Sequence, residues 1–134
     1  MKGYVANIQQ HTLGNTDFRR VVYTANHLQL VLMTLQPGED IGAETHAHVD
    51  QFFRVEKGSG TITIDGTTSP ITEDTAMLVP AGATHNVSNT GQEPLQLYTL
   101  YGPPNHNDST VQATKTNAKK QESEHFNGMT TEVR

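Results

Sequence analysis

The stretch Pro80-Ala81-Gly82-Ala83-Thr84-His85-Asn86 gives the sharpest indication of the fold. A short apolar run at residues 76–79 precedes it and predicts a strand. Pro-x-Gly then stops this strand and opens a tight turn, because both residues are strong breakers of regular structure. The segment therefore predicts two short strands joined by a turn, with His85 at the start of the second strand.

The same alternation of short strand and turn continues along the chain. Runs rich in Thr, Val, Ile and Tyr are separated by turn residues at short intervals, which favours strands over helices. Asp65-Gly66 is a hairpin signal, since Gly supplies the positive φ of a tight turn. The predicted strands cover residues 20–24, 28–35, 51–56, 61–64, 76–79, 85–88 and 95–101.

These elements predict one all-β domain over residues 1–104. Many short antiparallel strands with almost no helix are typical of a jelly-roll β-barrel, which hides sheet edges by closing on itself. Pro103-Pro104 ends the compact region, and residues 105–134 form a polar tail. The composition of this tail is compatible with partial disorder and with a short helix over residues 116–124.

Composition excludes several classes of partner. The 134 residues carry a formal net charge of -5, which argues against binding to a nucleic-acid backbone. There is no Cys, so neither a disulfide nor a thiolate metal site can form. No apolar run is long enough to cross a membrane, and the first residues lack the apolar stretch of a secretory signal. We therefore expect a cytoplasmic protein with no nucleic-acid or membrane partner.

A second segment, Gly-Ala-Glu-Thr-His-Ala-His-Val-Asp-Gln at residues 42–51, adds groups that can bind a metal. On an extended strand, Glu44, His46 and His48 would share one face, because side chains alternate. Gln51, an odd number of residues further on, would point to the opposite face of such a strand. Its side chain can join the others only if a turn lies between His48 and Gln51.

The segment around His85 resembles the second motif of the cupin superfamily. That motif reads Gly, five residues, Pro-x-Gly, two residues, His, three residues, Asn. The match runs from Pro80 through Gly82 and His85 to Asn89, while Asp74 stands in the leading Gly position.

The segment around His46 is similar in spacing to the first cupin motif. That motif reads Gly, five residues, His-x-His, three or four residues, Glu, six residues, Gly. The match runs from Gly38 to Gly58, with Glu44 in the first His position and Gln51 in the Glu position.

The resemblance implies a cupin barrel with a metal site formed by Glu44, His46, Gln51 and His85. The usual set has three neutral histidines and one carboxylate, and this set keeps the summed ligand charge of -1. Gln can ligate through its side-chain oxygen. Nitrogen and oxygen ligands without sulfur suit a divalent transition metal ion: Mn, Fe, Co, Ni or Zn.

A rival ligand set consists of His46, His48, Gln51 and His85. It has no carboxylate, and only two residues separate His48 from Gln51 where cupin spacing leaves three or four. We rank this set second.

The resemblance also sets the expectations for function. The first is a metal-dependent enzyme acting on a small oxygenated molecule, of the isomerase, lyase or dioxygenase type. The alternatives are a non-enzymatic module that binds or senses a small molecule, and a structural cupin with a vestigial site. A site with net positive charge is compatible with an anionic substrate, and a homodimer is expected because cupins often dimerise.

The sequence offers few groups for proton transfer beside the ligands. Alternation would point Asp50 away from the metal, which leaves His48 and Tyr98 as candidate catalytic residues. The remaining histidines are expected at the surface: His11, His27, His106 and His125.

Overall fold

The computed structural model describes residues 1–133, which form two antiparallel β-sheets with small helices at either end of the chain. None of the helices within this range is long and apolar enough to span a membrane. In chain order the elements are α1 Ile8–Gly14, β1 Arg19–Thr24, β2 Gln29–Leu35, β3 Glu44–Thr45, β4 Asp50–Lys57, β5 Gly60–Ile64, β6 Thr67–Ile71, β7 Ala76–Val79, β8 Thr84–Ser88, β9 Leu95–Gly102, β10 Val111–Gln112, α2 Lys115–Lys120 and a 3₁₀ helix at Thr131–Val133.

The two sheets enclose the core between them. One has six strands in the order β10-β1-β2-β9-β4-β7, and the other has four in the order β3-β8-β5-β6. Alternating residues of both sheets point inward, so that Phe53 and Leu97 from one sheet share a buried apolar cluster with Ile62 and Val87 from the other. The mostly-β prediction is confirmed, while closure of the sheets into one barrel stays a prediction.

The predicted hairpin at Asp65-Gly66 joins β5 to β6. Both residues lie in the left-handed region, with φ of 44° and 84°, as a two-residue hairpin turn of type I′ requires. Strand β6 was not predicted because four of its five residues are exposed and it contains Pro70. Proline is tolerated there because β6 is the edge strand of its sheet among residues 1–133, next to β5.

The backbone conformation explains why the second motif begins with a Gly position. Asp74 adopts a φ of 68°, a conformation that glycine reaches without strain and that Asp tolerates better than most residues. Its Oδ1 also accepts a hydrogen bond of 2.9 Å from Arg54 Nη2. The departure from the motif therefore leaves the turn before β7 intact.

Helix α1 was not predicted from the sequence. It is short and polar, so it has no apolar stripe to detect, and among its residues only Thr12 is buried. Asn7 caps it by accepting a hydrogen bond of 2.9 Å from the Gln10 amide. Gln96 on β9 donates to the carbonyl oxygens of Leu13 and Asn15, which fixes the helix against the six-stranded sheet.

The segment after Pro104 packs onto β1. Strand β10 pairs with it, with Gln112 directly opposite Arg19. Thr114 then caps α2 by accepting a hydrogen bond of 3.1 Å from the Asn117 amide, and Ala118 of this helix is buried. The C-terminal segment thus lies beside the first strand of the larger sheet.

Candidate functional site

Both sheets contribute residues to one interior site. Glu44 on β3 and His85 on β8 are directly opposed, and directly opposed residues point to the same face of a sheet. The His46 ring centroid lies 5.4 Å from that of His85 and 6.0 Å from that of Tyr101. Tyr101 on β9 is in turn the cross-strand neighbour of Gln51 on β4.

Direct hydrogen bonds dock the two motif segments on each other. The Gly82 amide donates to the His46 carbonyl over 2.8 Å. The Ala81 amide donates to Asp50 Oδ1 over the same distance. The turn at residues 80–82 is therefore fixed against the chain that follows β3, and this contact sets His46 beside the strand that carries His85.

Two buried polar atoms at the site lack a well-formed hydrogen bond. Gln51 is 3% exposed, and its Nε2 donates to Thr99 Oγ1 over 2.9 Å, which leaves Oε1 without a partner. His46 Nε2 is also buried, and its polar neighbour is Glu44 Oε2 at 3.1 Å. Unpaired buried polar atoms are costly, and a bound cation would satisfy both of these.

His85 has the surroundings of a ligating histidine. It is 4% exposed, and its Nδ1 lies 3.4 Å from the Ala83 carbonyl oxygen. A contact of this kind favours the proton on Nδ1 and leaves Nε2 as the free donor atom for a metal. Burial lowers the pKa of His85, which favours the neutral ring that metal binding needs.

Glu44 supplies the anionic group. Burial by itself would raise the pKa of this carboxyl, but the neighbouring His46 ring and the Arg19 guanidinium outweigh it and hold the pKa below its usual value. The carboxylate is therefore ionised at neutral pH. Arg19 Nη2 lies 3.9 Å from Glu44 Oε1, at the outer limit of an ion pair.

By its chemistry, this donor set fits a divalent transition metal. It offers two imidazole nitrogens, one carboxylate and one amide oxygen. Within residues 1–133, the side-chain conformations do not bring any three His, Asp or Glu residues together around one metal position. Glu44 is turned toward His46 and Arg19 instead. The fit thus rests on the donor types and on the buried Gln51 Oε1, which accepts no hydrogen bond.

A cavity of about 780 Å³ opens beside Glu44 and His46, whereas Gln51 and His85 are not among the residues that line it. Glu44, His46 and Arg19 line one side of it, and residues between 105 and 125 line the other. The C-terminal segment, which the sequence analysis set apart from the domain, thus forms a wall of the candidate site.

His106 belongs to this wall, and the expectation of a surface position for it is wrong. Its Nε2 lies 3.2 Å from the Tyr101 hydroxyl, and the two ring centroids are 5.1 Å apart. Fully buried Gln29 holds the segment in place: its Oε1 accepts from the Asn105 and His106 amides, and its Nε2 donates to the His106 carbonyl. The sequence did contain an indication that this strand contacts a polar segment, because Gln29 begins the mainly apolar strand Gln29–Leu35. The other three histidines are exposed as expected.

Arg19 is a further residue that the sequence analysis missed. It is 6% exposed and donates from Nη1 to Gln112 Oε1 over 2.8 Å, whereas its neighbour Arg20 is exposed. The available signal was the Arg-Arg pair at the start of a strand, because alternation sends one member inward.

The structure does not place the catalytic candidates His48 and Tyr98 at the site. Strand β3 ends at Thr45, so the expected common face of Glu44, His46 and His48 is wrong; His48 is exposed in a turn. Tyr98 lies on the outer face of the six-stranded sheet, with its ring 6.4 Å from that of Phe52. The rival ligand set with His48 therefore has no geometric support.

The chain is similar to known proteins in sequence and, for one crystal structure, also in fold. The family model of the cupin domain matches residues 31–101. The crystal structure of BH2720 from Bacillus halodurans is 45% identical, with a TM-score of 0.88 over 89% of this chain and 95% of that one. The uncharacterized protein YrkC of Bacillus subtilis is 45% identical over 87% of this chain and 66% of its own length, so the chain spans about two thirds of this relative. Mannose-1-phosphate guanylyltransferase of Escherichia coli is 35% identical over 52% of this chain and 14% of that enzyme.

Proposed function

The chain belongs to the cupin family, and on that premise we propose that it is a metal-dependent enzyme acting on a small oxygenated molecule. One observation carries the proposal: the buried Gln51 Oε1 accepts no hydrogen bond, and it belongs to a residue set whose members Glu44 and His46 line a cavity of about 780 Å³. The reaction would be of the isomerase, lyase or dioxygenase type, since cupin folds host all of these and the fold alone does not choose among them.

Glu44, His46, Gln51 and His85 would hold the divalent ion: Mn, Fe, Co, Ni or Zn. When bound, such an ion supplies a Lewis acid that polarises an oxygen of the substrate. Ionised Glu44 gives the set its single negative charge. The Thr99 hydroxyl keeps the Gln51 amide oriented, with Oε1 as the available oxygen.

In this proposal, Tyr101 and His106 form a hydrogen-bonded pair at the site. Burial raises the pKa of Tyr101 to about 12, so the proton stays on its hydroxyl. Burial also lowers the pKa of His106 well below its ordinary value, so the ring at the cavity wall is neutral, and its Nε2, 3.2 Å from the Tyr101 hydroxyl, can accept a hydrogen bond from it. Gln29 fixes the backbone of His106 and acts as a positioning residue.

The C-terminal segment would exclude water from the substrate. Lys115 on α2 forms an ion pair with Asp40 in the loop before β3, and Asp40 also accepts a hydrogen bond of 2.8 Å from Asn86 on β8. These contacts tie the wall of the cavity to both flanks of the site. A site shielded in this way strengthens the electrostatic interactions inside it.

Metal content tests the proposal directly. The purified protein is loaded with each metal, dialysed and measured by elemental analysis, alongside His46→Ala and a matched control, His48→Ala. We expect about one bound ion in the wild type and in the control, and a large loss in His46→Ala. Metal near zero in all three proteins after loading would contradict the proposal.

We also propose that the outer face of the six-stranded sheet forms the homodimer contact. A row of directly opposed apolar residues, Leu78, Phe52, Leu100 and Leu30, crosses four strands of this face. Leu78 is 66% exposed, which is unusual for a large apolar residue on an edge strand. Contact with a second copy would remove this row from water.

A further inference from the structure

We propose that Arg19 is the oxyanion-binding residue of the cavity, so that the small molecule bound there carries a carboxylate or a phosphate group. The inference rests on the proposed function, because it assigns a substrate class to the same cavity. No sequence motif pointed to Arg19. It rests on the burial, hydrogen bonds and position of this side chain.

Arg19 has more hydrogen-bond donors than partners. The residue is 6% exposed, and arginine is almost never buried to this extent unless it is paired. Nη1 is bonded to Gln112, and the guanidinium also contacts the Tyr101 hydroxyl. Nε is buried without a hydrogen bond, and Nη2 lies 3.9 Å from Glu44, within ion-pair range but too far for a hydrogen bond. Glu44 thus balances the charge of Arg19 without using all of its donors, and unused buried donors are costly until an oxyanion binds them.

Arg19 lines the cavity, and its guanidinium is held in a fixed orientation. Its carbon lies 5.3 Å from the centre of the Phe18 ring, and Gln112 holds Nη1 from the opposite strand. Gln112 is itself anchored, because its Nε2 donates to Gln121 Oε1 over 3.1 Å. A guanidinium held in this way is suited to bind a carboxylate or phosphate, because two oxygens of such a group can accept from two guanidinium N–H groups at once.

The position of Arg19 connects the anion to the proposed centre. Arg19, Glu44 and His46 line the same cavity. An oxyanion on Arg19 would therefore place the rest of a small molecule beside the proposed ligands. Two lysines of α2 also line this cavity: Lys115 is already paired with Asp40, and Lys119 is exposed.

The competing role for Arg19 is structural, as the counterion that holds Glu44. The two roles predict different results. A structural Arg19 would be needed for metal binding, because Glu44 would move without it. An oxyanion-binding Arg19 is not needed for metal binding, since removing a cation beside a metal site does not weaken the attraction of the metal.

The test compares Arg19→Gln and Arg19→Lys with a matched control, Arg20→Gln. Arg20 is adjacent on β1 but exposed, and it pairs with Asp17 over 3.1 Å. Each full-length protein is loaded with metal and analysed for metal content. Binding of malonate, inorganic phosphate and neutral malonamide is then measured by titration calorimetry and by the shift in melting temperature.

We expect malonate or phosphate, but not malonamide, to bind the wild type and Arg20→Gln, and the preferred anion identifies the group. Arg19→Gln should bind that anion at least tenfold more weakly at unchanged metal content. Arg19→Lys keeps the charge but loses the planar guanidinium, so its affinity for the anion should fall severalfold. This variant replaces Arg19→Gln in the test if Arg19→Gln does not fold.

Three results would overturn the inference: no anion binds the wild type, both Arg19 variants bind as tightly as the control, or both lose their metal. Failure of the proposed function is distinct from these, because it appears as a wild type without metal.

Discussion

Replacement of Glu44 by Gln tests the ligand assignment most sharply. The substitution keeps the size of the side chain but removes the one negative charge among Glu44, His46, Gln51 and His85. A divalent ion would then keep its full charge in a partly dry site, which is costly. We expect metal affinity to fall at least tenfold, which corresponds to about 1.4 kcal/mol.

The metal-free protein should lose a smaller amount of stability. At the observed 3.9 Å between Arg19 and Glu44, two unit charges attract by about 4 kcal/mol at an effective dielectric constant of about 20. The Glu44 side chain is 28% exposed, so solvent reduces the net contribution to about 1 kcal/mol. For a domain of this size, that loss lowers the melting temperature by roughly 3–5 °C.

The assay separates the two effects. Metal affinity is measured by competition with a chromophoric chelator, and the stability of the metal-free form by calorimetry in excess chelator. His48→Ala is the control, because this exposed turn residue should change neither quantity. If His48→Ala strips the metal while Glu44→Gln retains it, the assignment of Glu44 is wrong and the three-histidine set is right.

Four further outcomes are expected. Metal at a hundredfold excess over its dissociation constant should stabilise the fold by about 2.7 kcal/mol, measured as a chelator-dependent melting temperature, and the effect should fade in acid as the ligand histidines are protonated. Burial lowers the folded-state pKa of His85 and His106, so the unfolded chain binds more protons than the folded protein below about pH 6.5. The metal-free protein should therefore lose stability as pH falls from 7.5 to 5.5. If His106→Asn loses as much stability over this range as the wild type, His106 does not contribute to the effect. A chain ending at residue 105 should still form both main sheets by circular dichroism, because the strands other than β10 remain, but it should melt at a lower temperature and bind no malonate or phosphate; failure to fold would show that the C-terminal segment is essential. Leu78→Lys should shift the protein from dimer to monomer in light scattering, and an unchanged mass would place the dimer contact elsewhere.

The sequence was sufficient for the family and for seven of the ten strands within residues 1–133, but not for β3, β6 and β10. Strand β7 falls at residues 76–79 as predicted, because an apolar run and a Pro-x-Gly turn are local signals that need no tertiary information. The hairpin at Asp65-Gly66 was predictable for the same reason. The two motifs also identified Glu44, His46 and His85, which the fold brings together, and Gln51, which it links to them through Tyr101.

Only the tertiary structure decided what surrounds these residues. The alternation of side chains along a strand suggested that His48 lies on the same face as His46. This alternation does not continue beyond the end of a strand, and β3 ends at Thr45. Arg19 and His106 lie more than 20 residues from any predicted ligand in the sequence. They reach the cavity because β10 pairs with β1 and because Gln29 binds the backbone at residues 105 and 106. Local sequence rules record strands and turns, whereas a pocket is made by chain segments that only long-range hydrogen bonds and burial bring into contact.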